Sequence, residues 1–431
     1  MKRATRACAC VAAALVCGTL AAGGTGNAPA RPVDLRALVH ETSRDLTRLR
    51  GATLKEIPPA GFIAPERYVE EYVIKTMDLM WGGDFDRSLE AFKALGMLPA
   101  ELDAKPFLRR YGAAMTAAAY DFLGKRILFP RRRVSRDVLL HELVHAMQDE
   151  RHDIKRLMLT AEGNLDRTLA MGALIEGEAT NVQLRYSMGR SRVLAGLTPY
   201  GTLRKQARAR AERIREQLYR VLPNVPPNLI RAQAFVYGEG VLFVERLRRR
   251  KRHWAAVDAA YLTPPQSTSQ ILHPEKYITG EWPVALSIEN PETFVAGYEL
   301  VTENTLGEFG MRLFLETHLP NLEGPEKAVE GWRGDRAFLY RDKRNRPVLL
   351  WLSTWETPEK AEQMRGLLLK ALTKHVGESF KECVRAKRRE HDVVAVLSVL
   401  EPFERLLDPP VTKKTIQGRP FGDEKENTTE D

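Results

Sequence analysis

Cysteine is scarce in this 431-residue sequence, and its scarcity narrows the kinds of site that the chain can form. Three of the four cysteines, Cys8, Cys10 and Cys17, lie in the N-terminal leader, so only Cys383 remains in the rest of the chain. A single cysteine cannot form an intramolecular disulfide and is a poor basis for a zinc site. We therefore expect any metal site to use histidine and carboxylate ligands.

Long apolar runs are missing as well. The leader "MKRATRACACVAAALVCGTLAAGG" has a basic start and an apolar run of about a dozen residues, fewer than the ~20 that span a bilayer. It predicts a secretory signal peptide over residues 1–30, cleaved after Ala22 or Ala30, the alternative being an uncleaved anchor. The residues before Cys17 fit a lipoprotein signal poorly. We expect an exported protein, periplasmic or secreted, with no later transmembrane span and no lipid anchor.

Acidic residues are fewer than basic ones, and the formal net charge is +10. The leader carries three basic residues and no acid, so its removal leaves a charge near +7. The basic cluster "RRRKRH" (248–253) can attract anionic surfaces. In an exported protein we favour a solvated helix end there and expect no nucleic-acid partner.

The chain is too long for one small core, so two domains are expected. Residues 31–285 are predicted to form a mainly helical domain that contains one short strand, "KRILF" (125–129). A smaller α+β domain is predicted over residues 286–408, with strand-like runs in "DRAFLYRDKRNRPVLLWLSTWE" and a helix in "TPEKAEQMRGLLLKAL". The polar residues 409–431 are predicted to be a disordered tail. The fold class is therefore predicted to be α+β.

One apolar helix, predicted from Ser135 to about Glu150, contains "LLHELVHAMQD". His141 and His145 are four residues apart, so they share one helix face and can bind one ion. Glu142 lies about 100° further around the helix, where it can reach a water on the metal as general base. This HExxH pattern occurs by chance in on the order of one or two chains in a hundred of this length. Its apolar surroundings favour a zinc site over satisfied core histidines.

A catalytic zinc ion needs a third protein ligand and one open position. His152 lies two helical turns beyond His145, too far along the helix for the same ion. The following helix contains "ALIEGEATNVQ", in which Glu176 and Glu178 are about 200° apart. Glu176 shares its face with small residues that allow a close helix approach, so we favour Glu176 over Glu178.

The sequence "HELVH" (141–145), followed 31 residues later by Glu176, resembles the gluzincin branch of the zincin-like metallopeptidases. The resemblance implies zinc ligands His141, His145 and Glu176, with Glu142 as general base. Gluzincins often carry an aspartate where Thr180 stands, and that residue steadies a ligand histidine. Thr180 is therefore one candidate for this role and Asp149 the other.

Most of residues 40–400 is also similar to exported bacterial proteins with "HELVHALQDQ", "ALxEGxA" and "PPSTxQILHPxKY" segments, here "HELVHAMQDE", "ALIEGEA" and "PPQSTSQILHPEKY". That group is regarded as zinc peptidases of unassigned substrate. The resemblance implies a zincin-like domain in which "KRILF" is an edge strand above the active-site helix, able to pair with an extended substrate.

Peptide hydrolysis also needs a donor that stabilises the negative charge developing on the carbonyl oxygen. Tyr237, His273 and Tyr277 are the candidates, because each follows the third ligand in a turn-rich or glycine-flanked context. The favoured function is an exported zinc endopeptidase acting on peptide or protein substrates. The alternative is a non-catalytic cell-envelope protein in which the metal is structural or absent.

Overall fold

A computed structural model describes most of the chain after the leader. The described residues are 34–81, 85–115, 117–132, 134–161, 163–188, 200–222, 224–250, 254–398 and 404–416. The predicted signal peptide, residues 1–30, lies outside them. The chain divides into an N-terminal unit, Met1–Leu89 with Leu98–Leu262, and a C-terminal unit, Glu90–Met97 with Thr263–Asp431. Helices and sheets occur together, which confirms the predicted α+β class.

The N-terminal unit is mainly helical. Its helices are α1 (Leu35–Arg50), α2 (Pro65–Tyr68), α3 (Lys75–Trp81), α4 (Phe85–Ala94), α5 (Ala104–Met115), α6 (Arg136–His152), α7 (Ile154–Leu159), α8 (Leu165–Met188), α9 (Tyr200–Val221), α10 (Pro227–Arg250) and α11 (Ala255–Leu262). A π-helical turn, Val69–Ile74, joins α2 to α3. The division between the two units falls within α4.

Helix α6 is the predicted histidine-bearing helix. Ser135 precedes it in an extended conformation, although its hydroxyl donates to Asp137 and does not cap the helix. Asp153 ends the helix in the left-handed region, with φ of 51°. Every residue from Val138 to Asp149 is buried, so the apolar sequence does form a core helix as predicted.

A three-stranded sheet, β1 (Ala60–Phe62), β2 (Ala119–Asp121) and β3 (Arg126–Phe129), accompanies these helices. The strand order is β1-β3-β2, with β1 parallel and β2 antiparallel to β3. The prediction that "KRILF" is an edge strand is therefore wrong, because both sides of β3 are paired. The three-residue strand β1 is too short to show a period in the sequence, and β2 occupies an edge instead.

Two glycines allow helices α8 and α10 to pack closely. A Cβ atom added to Gly177 would lie 2.3 Å from the Gly240 carbonyl carbon, and one on Gly240 would lie 2.3 Å from the Ala173 carbonyl oxygen. These obstacles are backbone atoms, which cannot rotate away. Arg185 of α8 also donates a hydrogen bond of 2.6 Å to the buried Glu245 of α10.

The C-terminal unit is built around an antiparallel sheet. Its helices are α12 (Thr268–Leu272), α13 (Pro274–Thr279), α14 (Pro291–Phe294), α15 (Gly307–His318), α16 (Pro325–Val329) and α17 (Pro358–Val376). Its strands are β4 (Val284–Ile288), β5 (Tyr298–Asn304), β6 (Trp332–Asp342), β7 (Pro347–Trp355), β8 (Val384–Arg389), β9 (Asp392–Ser398) and β10 (Val411–Thr415). Five of them form a sheet in the order β5-β6-β7-β9-β8, and β10 pairs with β4.

The distinctive "GWRGDR" (331–336) has a structural role in this unit. The fully buried Asp335 accepts bonds from the Trp332 and Trp351 indoles, both at 3.1 Å. It also accepts from the backbone N–H groups of Leu306 and Gly307, at 3.0 and 2.8 Å, where α15 begins. Four donors therefore satisfy one buried carboxylate and tie a strand to a helix end.

Two predicted boundaries need correction. The units separate between Leu262 and Thr263, earlier than the predicted 285/286, because residues 263–285 bond to α15 and β6: the Phe309 N–H donates to Thr268 at 3.2 Å and Arg333 pairs with Glu281 at 2.6 Å. The predicted tail 409–431 begins with a strand, β10, since backbone pairing with β4 needs no apolar side chains. Residues 417–431 lie outside the described part.

Within the described residues, no helix is both long enough and apolar enough to cross a membrane.

Candidate metal centre

Helix α6 presents its two histidines side by side. The His141 and His145 rings are 4.7 Å apart between centroids and nearly perpendicular, at 79°. His141 is fully buried and His145 is 8% exposed. The four-residue spacing therefore places both imidazoles on one interior face, as the sequence predicts.

Helix α8 brings Glu176 to the same face. Its Oε2 atom lies 3.0 Å from His141 Nε2 and 3.5 Å from His145 Nε2. The three side chains offer ligand atoms that all lie within 4.8 Å of one another, and all three are buried. Ligand atoms around a tetrahedral zinc ion lie roughly 3.4 Å apart, given zinc–nitrogen and zinc–oxygen bonds near 2.1 Å. The donor set and the two shorter separations therefore fit a zinc site.

The three groups strongly perturb one another. Burial lowers the pKa of His141, against the opposing effect of Glu176. Burial would also lower the pKa of His145, but the Glu176 carboxylate outweighs it and raises that pKa to about 9. Burial would raise the pKa of Glu176, whereas the two imidazoles lower it. Glu176 is therefore an ionised carboxylate held against imidazoles, a charge arrangement that suits a divalent cation.

Glu142 is buried and held by an edge strand. The backbone N–H of Tyr120, on β2, donates a hydrogen bond of 2.8 Å to Glu142 Oε2. Tyr120 is itself fixed at both ends: its hydroxyl donates to Asp149 at 2.9 Å, and its carbonyl accepts from the Tyr72 hydroxyl at 3.1 Å. Tyr72 belongs to the π-helical turn, a feature common near functional sites. Residue type does not predict this role for Tyr120, because the donor is a backbone N–H.

A pocket opens beside the candidate ligands. Its empty volume is about 530 Å³, including space open to solvent. Glu142, His145 and Glu176 line it together with apolar side chains, among them Phe122, Ile154, Met158 and Ile175. Glu142 and two of the three candidate ligands, His145 and Glu176, therefore line one cavity.

The predicted partners of the histidines are not the ones found. Asp149 pairs with the Tyr120 hydroxyl and with Lys125, at 2.6 Å, and not with an imidazole. Thr180 is buried, but its hydroxyl has no hydrogen-bond partner among the described residues. Neither residue orients a candidate ligand as predicted, because Asp149 projects toward β2 and Thr180 does not reach a ring nitrogen.

A glutamine, Gln148, contacts the ring nitrogen of His145 instead of Asp149 or Thr180. Gln148 Oε1 lies 2.8 Å from His145 Nδ1, three residues along the same helix. A buried glutamine in an apolar helix carries no distinguishing sequence signal, although the i, i+3 spacing allows the contact. Glu178, the rejected ligand, lies behind Gln148 at 2.9 Å and pairs with Arg50. The preference for Glu176 over Glu178 thus agrees with the geometry.

The three candidate hydrogen-bond donors lie in different parts of the structure. His273 and Tyr277 belong to the C-terminal unit, where His273 Nε2 lies 2.7 Å from Glu308 and the Tyr277 hydroxyl donates to the Thr263 carbonyl at 2.7 Å. Both side chains therefore have partners within their own unit, and their role as donors stays a prediction.

Tyr237 on α10 lies against the ligand group. Its ring centroid is 6.3 Å from that of His141, and its hydroxyl is buried near the Glu176 carboxylate. Burial raises the pKa of Tyr237 well above its usual value, and the Glu176 and Glu142 carboxylates raise it further. Tyr237 is therefore a neutral donor next to the candidate metal ligands.

Comparison with known proteins adds one match. Residues 294–399 match the family described as "Domain of unknown function (DUF8575)". This segment lies within the C-terminal unit and contains none of the candidate ligands. Neither curated proteins nor solved structures give a significant match to the chain.

Proposed function

We propose that this protein is an exported zinc-dependent endopeptidase of the gluzincin type. The observation that carries the proposal is the buried group of His141, His145 and Glu176, whose ligand atoms lie within 4.8 Å of one another beside a pocket. The leader sequence, which resembles a secretory signal, supports export.

The chemistry assigns one role to the metal and others to the chain. Zinc in such a site supplies Lewis-acid polarisation and makes water more acidic. Glu142, aimed by the Tyr120 N–H, accepts a proton from the attacking water as the new C–O bond forms. The C–N bond then breaks, and Glu142 returns the proton to the departing amine nitrogen. Tyr237 donates a hydrogen bond to the carbonyl oxygen as negative charge develops on it.

The proposed substrate is an extended peptide. Strand β2 lies at an edge of its sheet, and its residues Ala119 and Tyr120 line the pocket. The backbone N–H and carbonyl of Tyr120, at the centre of β2, already bond to Glu142 and Tyr72, so we expect the pocket side chains, and not pairing with β2, to hold the substrate. The apolar side chains around the pocket favour an apolar substrate side chain there.

The alternative is a non-catalytic protein with a structural metal. A structural zinc site closes its coordination with four protein ligands and needs no general base. Here the described residues bring three ligands together, and the Glu142 carboxylate lines the adjacent pocket. These two features favour catalysis.

The decisive experiment compares the parent protein with Glu142→Gln and His145→Ala. We expect one zinc per chain in the parent and in Glu142→Gln, and loss of zinc in His145→Ala. We expect Glu142→Gln to lose peptide hydrolysis by roughly two orders of magnitude or more, because the amide cannot act as the general base proposed for Glu142. Metal analysis and a casein or peptide-library digest measure both.

Each arm has a contradicting result. If the purified parent protein contains no zinc, even after incubation with the metal, the proposed zinc site is refuted. A Glu142→Gln variant that cleaves peptides as fast as the parent would refute the proposed mechanism while leaving zinc binding intact.

A further inference from the structure

The buried amide of Gln148 connects a candidate ligand to the helices behind it. Gln148 is fully buried on α6, and its Oε1 atom lies 2.8 Å from His145 Nδ1. Its Nε2 atom lies 2.9 Å from the Ile175 carbonyl oxygen and 2.9 Å from Glu178 Oε2. Every polar atom of this amide therefore has a partner.

These partners fix which way the amide points. A backbone carbonyl can only accept, and an ionised carboxylate can only accept, so the amide nitrogen must face Ile175 and Glu178. The amide oxygen then faces His145, and an oxygen acceptor requires a proton on Nδ1. When His145 is neutral, as a metal ligand must be, this contact therefore holds it as the tautomer whose lone pair is on Nε2, the atom that lies 3.5 Å from Glu176.

The acceptor Glu178 is itself held firmly. The Tyr261 hydroxyl donates to Glu178 Oε2 at 2.5 Å, and Arg50 Nε donates to Oε1. Arg50 continues to Asp258 at 2.5 Å and lies over the Trp254 ring, 4.5 Å from its centroid. Helices α1, α8 and α11 thus contribute Arg50, Glu178 and Tyr261 to one group of buried hydrogen bonds.

We propose that Gln148 is a positioning residue for zinc: it selects the metal-binding tautomer of His145 and fixes the ring, with Glu178 and Arg50 holding the amide in turn. This inference rests on the proposed zinc site and assigns the support of one ligand to residues outside the HExxH pattern. Groups that orient a ligand imidazole typically change metal affinity by roughly 10- to 100-fold.

The test uses Gln148→Met, which keeps the length of the side chain and removes its hydrogen bonds. We expect its zinc dissociation constant, measured by competition with a chelator, to rise roughly 10- to 100-fold. The absorption spectrum of the cobalt-substituted protein should also change, because the His145 ring is no longer fixed. Circular dichroism of the metal-free protein reports whether the variant is folded.

Gln270→Met is the matched control. Gln270 is also a buried glutamine, 1% exposed, but its side chain bonds to the Gln266 N–H and the Glu281 carbonyl. We expect Gln270→Met to lower stability without changing zinc affinity. If Gln148→Met binds zinc as tightly as the parent, the positioning role is overturned while the proposed function stands. If the parent binds no zinc, the proposed function fails first.

A measurement on the parent alone covers the case in which Gln148→Met does not fold. Nitrogen-15 NMR of histidine-labelled, zinc-loaded protein should show His145 protonated at Nδ1, with slow exchange of that proton. A rapidly exchanging Nδ1 proton, or coordination through Nδ1, would overturn the inference.

Discussion

The two glutamates of "EGE", Glu176 and Glu178, have different partners although only Gly177 separates them. Glu176 faces two imidazoles, whereas Glu178 accepts from Arg50, Gln148 and Tyr261. A buried carboxylate without partners costs several kcal/mol, so each needs its own set of donors. The short motif thus serves both the candidate ligand group and the bonds that support it.

At the scale of single residues, the first prediction concerns the hydroxyl of Tyr237. We expect Tyr237→Phe to lower kcat for peptide hydrolysis by roughly 10²- to 10³-fold, the usual effect of removing one donor to a developing oxyanion. Zinc content should not change, because Tyr237 is not a ligand. Steady-state kinetics and metal analysis check both.

Tyr111→Phe serves as its control. Tyr111 is also a buried tyrosine of the N-terminal unit, and its hydroxyl donates to Gln233 at 3.2 Å. We expect this variant to keep kcat within a few-fold of the parent. A Tyr237→Phe variant with parental kcat would assign the oxyanion donor to another group.

The sequence predicts single residues well where the contacts are local or where a known motif links two segments, as it does for Glu176. His141, Glu142 and His145 share one helix, so helical periodicity alone places them. Glu178 and Arg50 are 128 residues apart, and the pairing depends on how α1 and α8 pack. No spacing rule predicts that contact. The same holds for Tyr120, whose backbone N–H binds Glu142 and leaves no trace in residue type.

Among the elements, the packing of α8 on α10 positions both Glu176 and Tyr237. Gly177 and Gly240 make the approach possible, since either Cβ would meet backbone atoms of the other helix at 2.3 Å. Helix α8 thus carries a candidate ligand on one side while its small residues receive α10 on another. The distance between these helices determines where the Tyr237 hydroxyl lies relative to His141.

The second prediction concerns that approach. We expect Gly240→Ala to lower the free energy of unfolding by about 1–2 kcal/mol, because an overpacking cost of about 2–3 kcal/mol against rigid backbone atoms exceeds the gain of about 1 kcal/mol in helix propensity. Gly201→Ala is the control: Gly201 is in helix α9 and a Cβ there meets nothing within 4 Å. That variant should be as stable as the parent or slightly more stable. Denaturant unfolding followed by circular dichroism compares the three proteins, and equal stability of Gly240→Ala and the parent would contradict the close packing.

The strands show where sequence patterns fail. Strand β10, "VTKKT", is almost wholly polar and exposed, so its composition resembles a tail. Its hydrogen bonds to β4 come from the backbone, which every sequence possesses. Strand β1 has three residues, too few to show alternation, so nothing in the sequence opposes the edge position that the zincin resemblance implies for β3. The long helices and the strands β6 and β7 were predictable because their apolar patterns extend over many residues.

At the scale of the whole molecule, the candidate site and the family match lie in different units. The histidines and Glu176 belong to the N-terminal unit, whereas residues 294–399 belong to the C-terminal unit. The family match therefore says nothing about metal chemistry. The proposed function depends on residues of the N-terminal unit alone. The stabilisation of the folded protein by bound zinc can be measured directly.

The last prediction is that zinc stabilises the folded protein through this group. A metal that binds the native state and not the unfolded one adds about 2.7 kcal/mol at a free concentration 100 times its Kd. For a unit of this size we expect the unfolding midpoint to rise by roughly 5–10 °C with zinc and to fall again with a chelator. Calorimetry with and without zinc measures the shift. His145→Ala should show almost no shift, because two remaining ligands bind the ion weakly, and an equal shift in that variant would place the bound zinc elsewhere.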